Sequence, residues 1–237
     1  MLISFSKLTN ILIISLFMSF IFISCGMFAK YPCQDKSASY YDVNGEIKTC
    51  KLNKPTVIDG YKCQATYVSF HENGKLKSCT LAEVSNIQGY SCKPEIVSFY
   101  DTGKLEFCFL SKETEINGIT SKKAKVTFYE SGKPKSIELA KRTEIKKNNY
   151  PNDSLITFYE SGKIKTCTVL ESVIINDTAF PESTVIYFNE NNNNNNYSCY
   201  IPKNLQIGDK IYNAQDIICF DENGKVIVDK ENCPSID

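Results

Sequence analysis

Apolar and polar residues alternate through most of the chain, and the alternation restarts about every 29 residues. Val68-Ser69-Phe70 has the period of two expected of a strand with one buried face. His71-Glu72-Asn73-Gly74-Lys75 follows, a polar stretch whose glycine supplies the positive φ of a tight turn. Leu76-Lys77-Ser78-Cys79-Thr80-Leu81 reads as the returning strand. The tail of the unit, Asn86-Ile87-Gln88-Gly89-Tyr90, reads as a short extended piece with its own glycine turn. No segment carries the 3.6-residue stripe of an amphipathic helix, so the pattern predicts an all-β chain.

The same hairpin recurs at Val97–Leu110, Val126–Pro134 and Ile156–Ile164. Gly45, Gly74, Gly103, Gly132, Gly162 and Gly224 are separated by 29, 29, 29, 30 and 62 residues. The long step contains one more unit at Phe188-Asn189-Glu190-Asn191, where a run of Asn replaces Gly-Lys. Seven units result: 33–62, 63–91, 92–120, 121–149, 150–180, 181–210 and a short 211–237. An aromatic stands four residues before each turn: Tyr41, Phe70, Phe99, Phe128, Phe158, Phe188 and Phe220. Two aliphatic columns follow, Leu52, Leu81, Leu110, Leu139, Val169 and Ile201, then Ile58, Ile87, Ile116, Ile145, Ile175 and Ile207. One unit cannot bury these alone, but stacked neighbours can. The expected fold is therefore tandem β-hairpin repeats forming an elongated sheet or a flattened β-solenoid. The Asn191–Asn196 run reads as a slack hairpin tip.

Phe-Tyr-Glu-Ser-Gly-Lys, at 128–133 and again at 158–163, resembles the MORN-like variant repeats of bacterial antitoxin-like and lipoprotein families. The resemblance spans about residues 39–228. Those families use shorter units with an additional Gly and a Trp, and this chain has no Trp. The resemblance implies stacked hairpins and an interaction surface rather than catalysis. An antitoxin-like role fits poorly with an exported protein.

Export is expected from residues 1–24, where Lys7 precedes an apolar run from Ile11 to Ile23. The run ends in Ser24-Cys25-Gly26, which resembles a bacterial lipobox with Phe22 in the place usually held by Leu. That resemblance implies cleavage after Ser24 and acylation of Cys25. An ordinary cleaved signal or an uncleaved anchor are the alternatives. Residues 25–32 would form a lipidated tether and residues 33–237 a single repeat domain. Gly26, in place of an inner-membrane retention Asp, favours an outer-membrane destination. Several acyl chains, at about 0.8 kcal/mol per buried methylene, would hold the protein to the membrane.

Charge narrows the classes further. The chain has 27 basic and 27 acidic residues, so it lacks the basic excess of nucleic-acid binders. Removing residues 1–24 removes only Lys7, leaving a net charge of −1. The single histidine, His71, falls at a hairpin turn and reads as a surface residue. With one His, a catalytic triad or a His-based metal site has little to draw on. No Cys-x-x-Cys pair occurs, so neither metal nor cofactor is expected.

Apart from Cys25, ten cysteines remain. Cys33, Cys63 and Cys92 open the first three units, and Cys50, Cys79 and Cys108 follow 17, 16 and 16 residues later. The fourth unit loses both members together, to Ser121 and Ile137. This predicts disulfides 33–50, 63–79 and 92–108; linkage across units, 50–63 and 79–92, is the alternative. Cys167 and Cys199 share a column, and Cys219 and Cys233 fall together in the last unit.

Turn acids (Glu72, Asp101, Glu130, Glu160) followed by turn lysines (Lys75, Lys104, Lys133, Lys163) would form charge rows at one edge of the array. Tyr100, Tyr129 and Tyr159 follow the core aromatic and should point to the opposite sheet face, as a candidate stripe for binding protein or glycan or as cross-strand packing. The function expected is a non-catalytic, lipid-anchored envelope scaffold for an envelope or host protein or glycan. The alternative is a cell-envelope hydrolase with its site on the irregular C-terminal units.

Overall fold

A computed structural model describes residues 30–43, 45–145, 148–190 and 196–227. The expected signal segment, Cys25, most of the Asn run and Cys233 lie outside them. Thirteen strands form one sheet in chain order: Ser39–Tyr40, Ile47–Lys51, Tyr67–Phe70, Leu76–Thr80, Ile96–Phe99, Leu105–Phe109, Lys125–Phe128, Pro134–Glu138, Leu155–Phe158, Ile164–Thr168, Val185–Phe188, Tyr197–Tyr200 and Ile217–Phe220. Each pairs antiparallel with its neighbours. Among the described residues the first and last strands do not pair with each other, so the sheet is not closed into a barrel; beyond the last strand the chain turns back, Val226 bridging to Phe220. At 4.7–4.9 Å per strand it is about 58 Å across.

Alternate connections each carry a two-stranded ribbon, for example Thr56–Ile58 with Tyr61–Cys63 and Ser85–Ile87 with Tyr90–Cys92. There are six such ribbons among the described residues. In four of them the tip turns tightly with both central residues at positive φ, for example Asp59 and Gly60 at 48° and 87° and Gln88 and Gly89 at 50° and 95°. That is the turn whose twist matches a two-residue hairpin.

The core lies between one face of the sheet and the ribbons. From the sheet come Val68, Phe70, Leu76 and Cys79 with their equivalents; from the ribbons come Ile58, Ile87, Ile116 and Ile175, all buried in one continuous cluster. Ribbon aromatics meet the Phe two units on: Tyr61 stacks on Phe99 at 4.8 Å, and Tyr90 lies tilted against Phe128 at 4.6 Å. At the N-terminal end Tyr31 does the same to Phe70 at 4.6 Å, so the folded body begins before Cys33.

Three disulfides join each ribbon end, or its N-terminal equivalent, to the sheet: Cys33–Cys50, Cys63–Cys79 and Cys92–Cys108, with Cα–Cα distances of 5.7, 5.8 and 5.9 Å. Tyr150 and Phe180 stand where the first cysteine of the fifth and sixth units would be, and both are buried. Cys167 and Cys199 are therefore free thiols. Ile186 separates them in the sheet register, two strands or about 10 Å, beyond disulfide reach. Cys219 is disulfide-bonded.

One column needs correction. Tyr41 is not the first unit's core aromatic. Its amide bonds Glu46, five residues on, whereas His71 bonds Lys75, four residues on. The first turn is one residue longer, which shifts Tyr41 into the column of His71 and Tyr100. Tyr40 takes the Phe column and is 57% exposed at the sheet edge.

Candidate functional site

The sheet face turned away from the ribbons is the largest surface with a repeated chemistry. Its central row runs through the register of all thirteen strands. Ser39 faces Thr49, Thr49 faces Ser69, Ser69 faces Ser78 and Ser78 faces Ser98. Phe107 interrupts the row; Thr127, Ser136, Thr157 and Thr166 resume it. Tyr187, Ser198 and Cys219 complete it. Within hairpins the hydroxyls bond one another: Ser39 with Thr49 at 2.7 Å, and Ser69 with Ser78, Thr127 with Ser136 and Thr157 with Thr166 at 2.6 Å. Small hydroxyl side chains suit this position because cross-strand pairs there can satisfy each other.

On the side towards the hairpin turns, a row of rings ties each unit to the next. The hydroxyls of Tyr41, Tyr100, Tyr129 and Tyr159 donate to the carbonyls of Phe70, Phe128, Phe158 and Phe188 at 2.9, 2.8, 2.6 and 2.9 Å. His71 takes the same place: its Nε2 lies 2.8 Å from the Phe99 carbonyl oxygen and must donate the proton, because a carbonyl can only accept. This corrects two expectations. Tyr100, Tyr129 and Tyr159 lie on the expected face but are half-buried, and their hydroxyls are committed to backbone. His71 is half-buried in the same ladder rather than a free surface residue. Burial raises the phenol pKa of all three tyrosines, with the charge of nearby acids such as Glu106, Glu160 and Glu190 adding to it.

A bulge between the turn and the hydroxyl row shifts the hairpin register. It turns one extra side chain outward per unit: Lys48, Lys77, Glu106, Lys135 and Lys165. Three of these lysines sit over ladder rings, Lys48 over Tyr41, Lys135 over Tyr129 and Lys165 over Tyr159, each 5.5 Å from the centroid. Lys125 lies 4.1 Å over Phe107. On the far side of the hydroxyl row, apolar residues stand in the open: Tyr67 at 66%, Ile96 at 48%, Leu155 at 38% and Ile217 at 50% exposure.

The turn charges are used differently from the expected rows of opposite sign. Lys75 Nζ reaches the Thr102 carbonyl at 3.3 Å and Lys163 Nζ the Glu190 carbonyl at 2.9 Å, each binding the next turn. Ribbon tips also support the turns. Asp59 accepts from the Leu76 amide at 2.7 Å and Gln88 from the Leu105 amide at 3.2 Å. Pro134 has no amide to donate, and Asn117 instead reaches the Gly162 carbonyl at 3.4 Å.

Polar groups inside the irregular units are buried rather than gathered on a surface. Burial pushes the Cys167 and Cys199 thiols well above the usual range. Ser154 is buried beside the Cys167 thiol. Among the described residues no three His, Cys, Asp or Glu side chains are placed to hold a metal ion. Nor is any described helix long and apolar enough to cross a membrane.

A MORN repeat variant is found at residues 64–81. The match covers one sheet hairpin, from just after Cys63 through Leu81, and ends before the ribbon at Ser85–Cys92. The ribbon therefore accounts for the length of the unit beyond the matched hairpin. No curated protein and no solved structure matches the chain.

Proposed function

We propose that this chain is a lipid-anchored envelope protein whose repeats form a non-catalytic scaffold, binding a protein or glycan through the outward sheet face. One observation carries the reading: the same outward chemistry recurs at the same register in strand after strand, with hydroxyls along the centre and exposed apolar residues beside them. Repetition of this kind suits an extended partner, whereas catalysis needs a unique convergence of groups. A hydrolase in the C-terminal units is the weaker reading. The column-breaking thiols there are buried, and a buried thiol in apolar surroundings is a poor nucleophile.

The anchor rests on the likeness of Ser24-Cys25-Gly26 to a lipobox. Palmitate labelling of the full chain, against Cys25→Ala, tests it; label retained by the variant would sink the anchor. Retention of envelope material on the immobilised protein, compared with a variant in which Tyr67 and Ile96 are changed to Asp, tests the face. Unchanged retention would move the binding surface elsewhere.

A further inference from the structure

The geometry points to an acidic linear polysaccharide, laid across the strands, as the ligand of the outward sheet face. This rests on the scaffold reading above and names its ligand class. The thirteen sheet strands carry six lysines, Lys48, Lys51, Lys77, Lys125, Lys135 and Lys165, against two glutamates, Glu106 and Glu138. Over the whole chain the two signs are equal, 27 and 27. Of the two, only Glu138 is paired with a cation, and Glu106 keeps its charge. Ser98 Oγ donates to Glu106 at 2.5 Å, and Lys122 Nζ lies 2.7 Å from Glu138. Six lysines against one unpaired glutamate leave the strands of this face net positive, and the complement of that charge is an anion.

Spacing selects the kind of anion. Lys48, Lys77, Lys135 and Lys165 hold the same bulge position in four units. Neighbouring units are two strands apart, about 9.6 Å. That is comparable to an extended pyranose disaccharide, so a glycan with one carboxylate per disaccharide meets a cation at four of the first five units, the third holding Glu106. Duplex DNA places a phosphate about every 3.4 Å along each strand, nearly three for each lysine. A fluid bilayer offers charge with no fixed spacing. The hydroxyl row beside the lysines matches the donor and acceptor groups of sugars, and Tyr67 and Ile96 beyond it offer apolar ground to their C–H faces.

The test uses the full chain and hyaluronate oligosaccharides, which carry one carboxylate per disaccharide, in a calorimetric titration. Binding should strengthen with oligosaccharide length and weaken with salt. Lys77→Gln, Lys135→Gln and Lys165→Gln together should weaken it by about tenfold or more. Unchanged thermal unfolding shows that the triple variant is folded, and restoring the charges as Arg at the same three positions should restore binding. No binding to hyaluronate, or binding indifferent to the three lysines, overturns the assignment. Lysine-dependent binding only to vesicles of anionic phospholipid overturns it in favour of a membrane-facing surface. If the glycan fails but the immobilised chain still retains envelope material through Tyr67 and Ile96, the ligand class is wrong and the scaffold reading stands; if both fail, the scaffold reading falls too.

Discussion

Tyr129 donates its hydroxyl to the carbonyl of Phe158, 2.6 Å away in space and 29 residues along the chain. The same bond recurs from unit to unit, so the ring row both flattens the outward face and fastens it.

Removing one rung should be measurable without disturbing the fold. Tyr129→Phe keeps the ring under Lys135 and deletes only the hydroxyl, leaving the half-buried carbonyl of Phe158 without that donor. A loss of about 1 kcal/mol is expected in urea or thermal unfolding. A change within error would mean that water replaces the hydroxyl at no cost.

His71 offers the reverse experiment. Tyr at this position has the reach and the donor that four other units use. His71→Tyr should therefore preserve or raise the melting temperature, while His71→Phe, which cannot donate to Phe99, should lower it. Equal effects of the two substitutions would show that the ring alone matters.

Non-reducing peptide mapping should recover Cys33–Cys50, Cys63–Cys79 and Cys92–Cys108. Recovery of 50–63 and 79–92 peptides instead would overturn the pairing. Replacing Cys63 and Cys79 together by Ala opens a loop of 16 residues and should cost about 3 kcal/mol in the loop-entropy account.

Alkali should destabilise the array through its interior. Burial raises the folded pKa values of Cys167 and Cys199 from the usual 9.0, and those of Tyr150 and Tyr197 from the usual 10.0. The folded state thus holds these protons more tightly than the unfolded chain. The stability they contribute is complete below pH 9 and falls as pH rises past the unfolded values. Tyr150→Phe, which imitates Phe180 of the next unit, should make the alkaline decline shallower. A denaturation series from pH 7 to 11 reads this directly.

Much of this architecture is legible from spacing alone. The 29-residue step, the turn glycines and the paired loss at Ser121 and Ile137 reflect local chemistry repeated in place, which a period exposes. The displacement of Tyr41 is hidden because Gly45 is the only marker of its column, and one added turn residue shifts the count from it. The ladder escaped for another reason. The Tyr column is visible, but its acceptor is a backbone carbonyl in the next unit, and backbone acceptors leave no mark in a sequence. His71 was the available signal, since imidazole is the other ring that can donate from that column. The sequence of the ribbons shows extended tails, several with a glycine turn. Their position over the sheet follows from Ile58 and Cys63 needing the same core as Phe70, a tertiary fact. Of the outward face, the Tyr column is legible in the sequence, whereas the bulge that brings the lysines outward is a matter of register.

The ring ties between units span 28 or 29 residues and the turn-lysine ties 27, and each of the three disulfides described closes within its own unit. One period can therefore be cut from the chain without leaving loose ends. Excision of residues 92–120 would take Cys92 and Cys108 together, place Ser121 after Ser91, and present the carbonyl of Phe128 to His71 in place of that of Phe99. The outward face would shorten by one step and keep its order. Reach, rather than chemistry, is the property such a chain can change by gaining or losing copies.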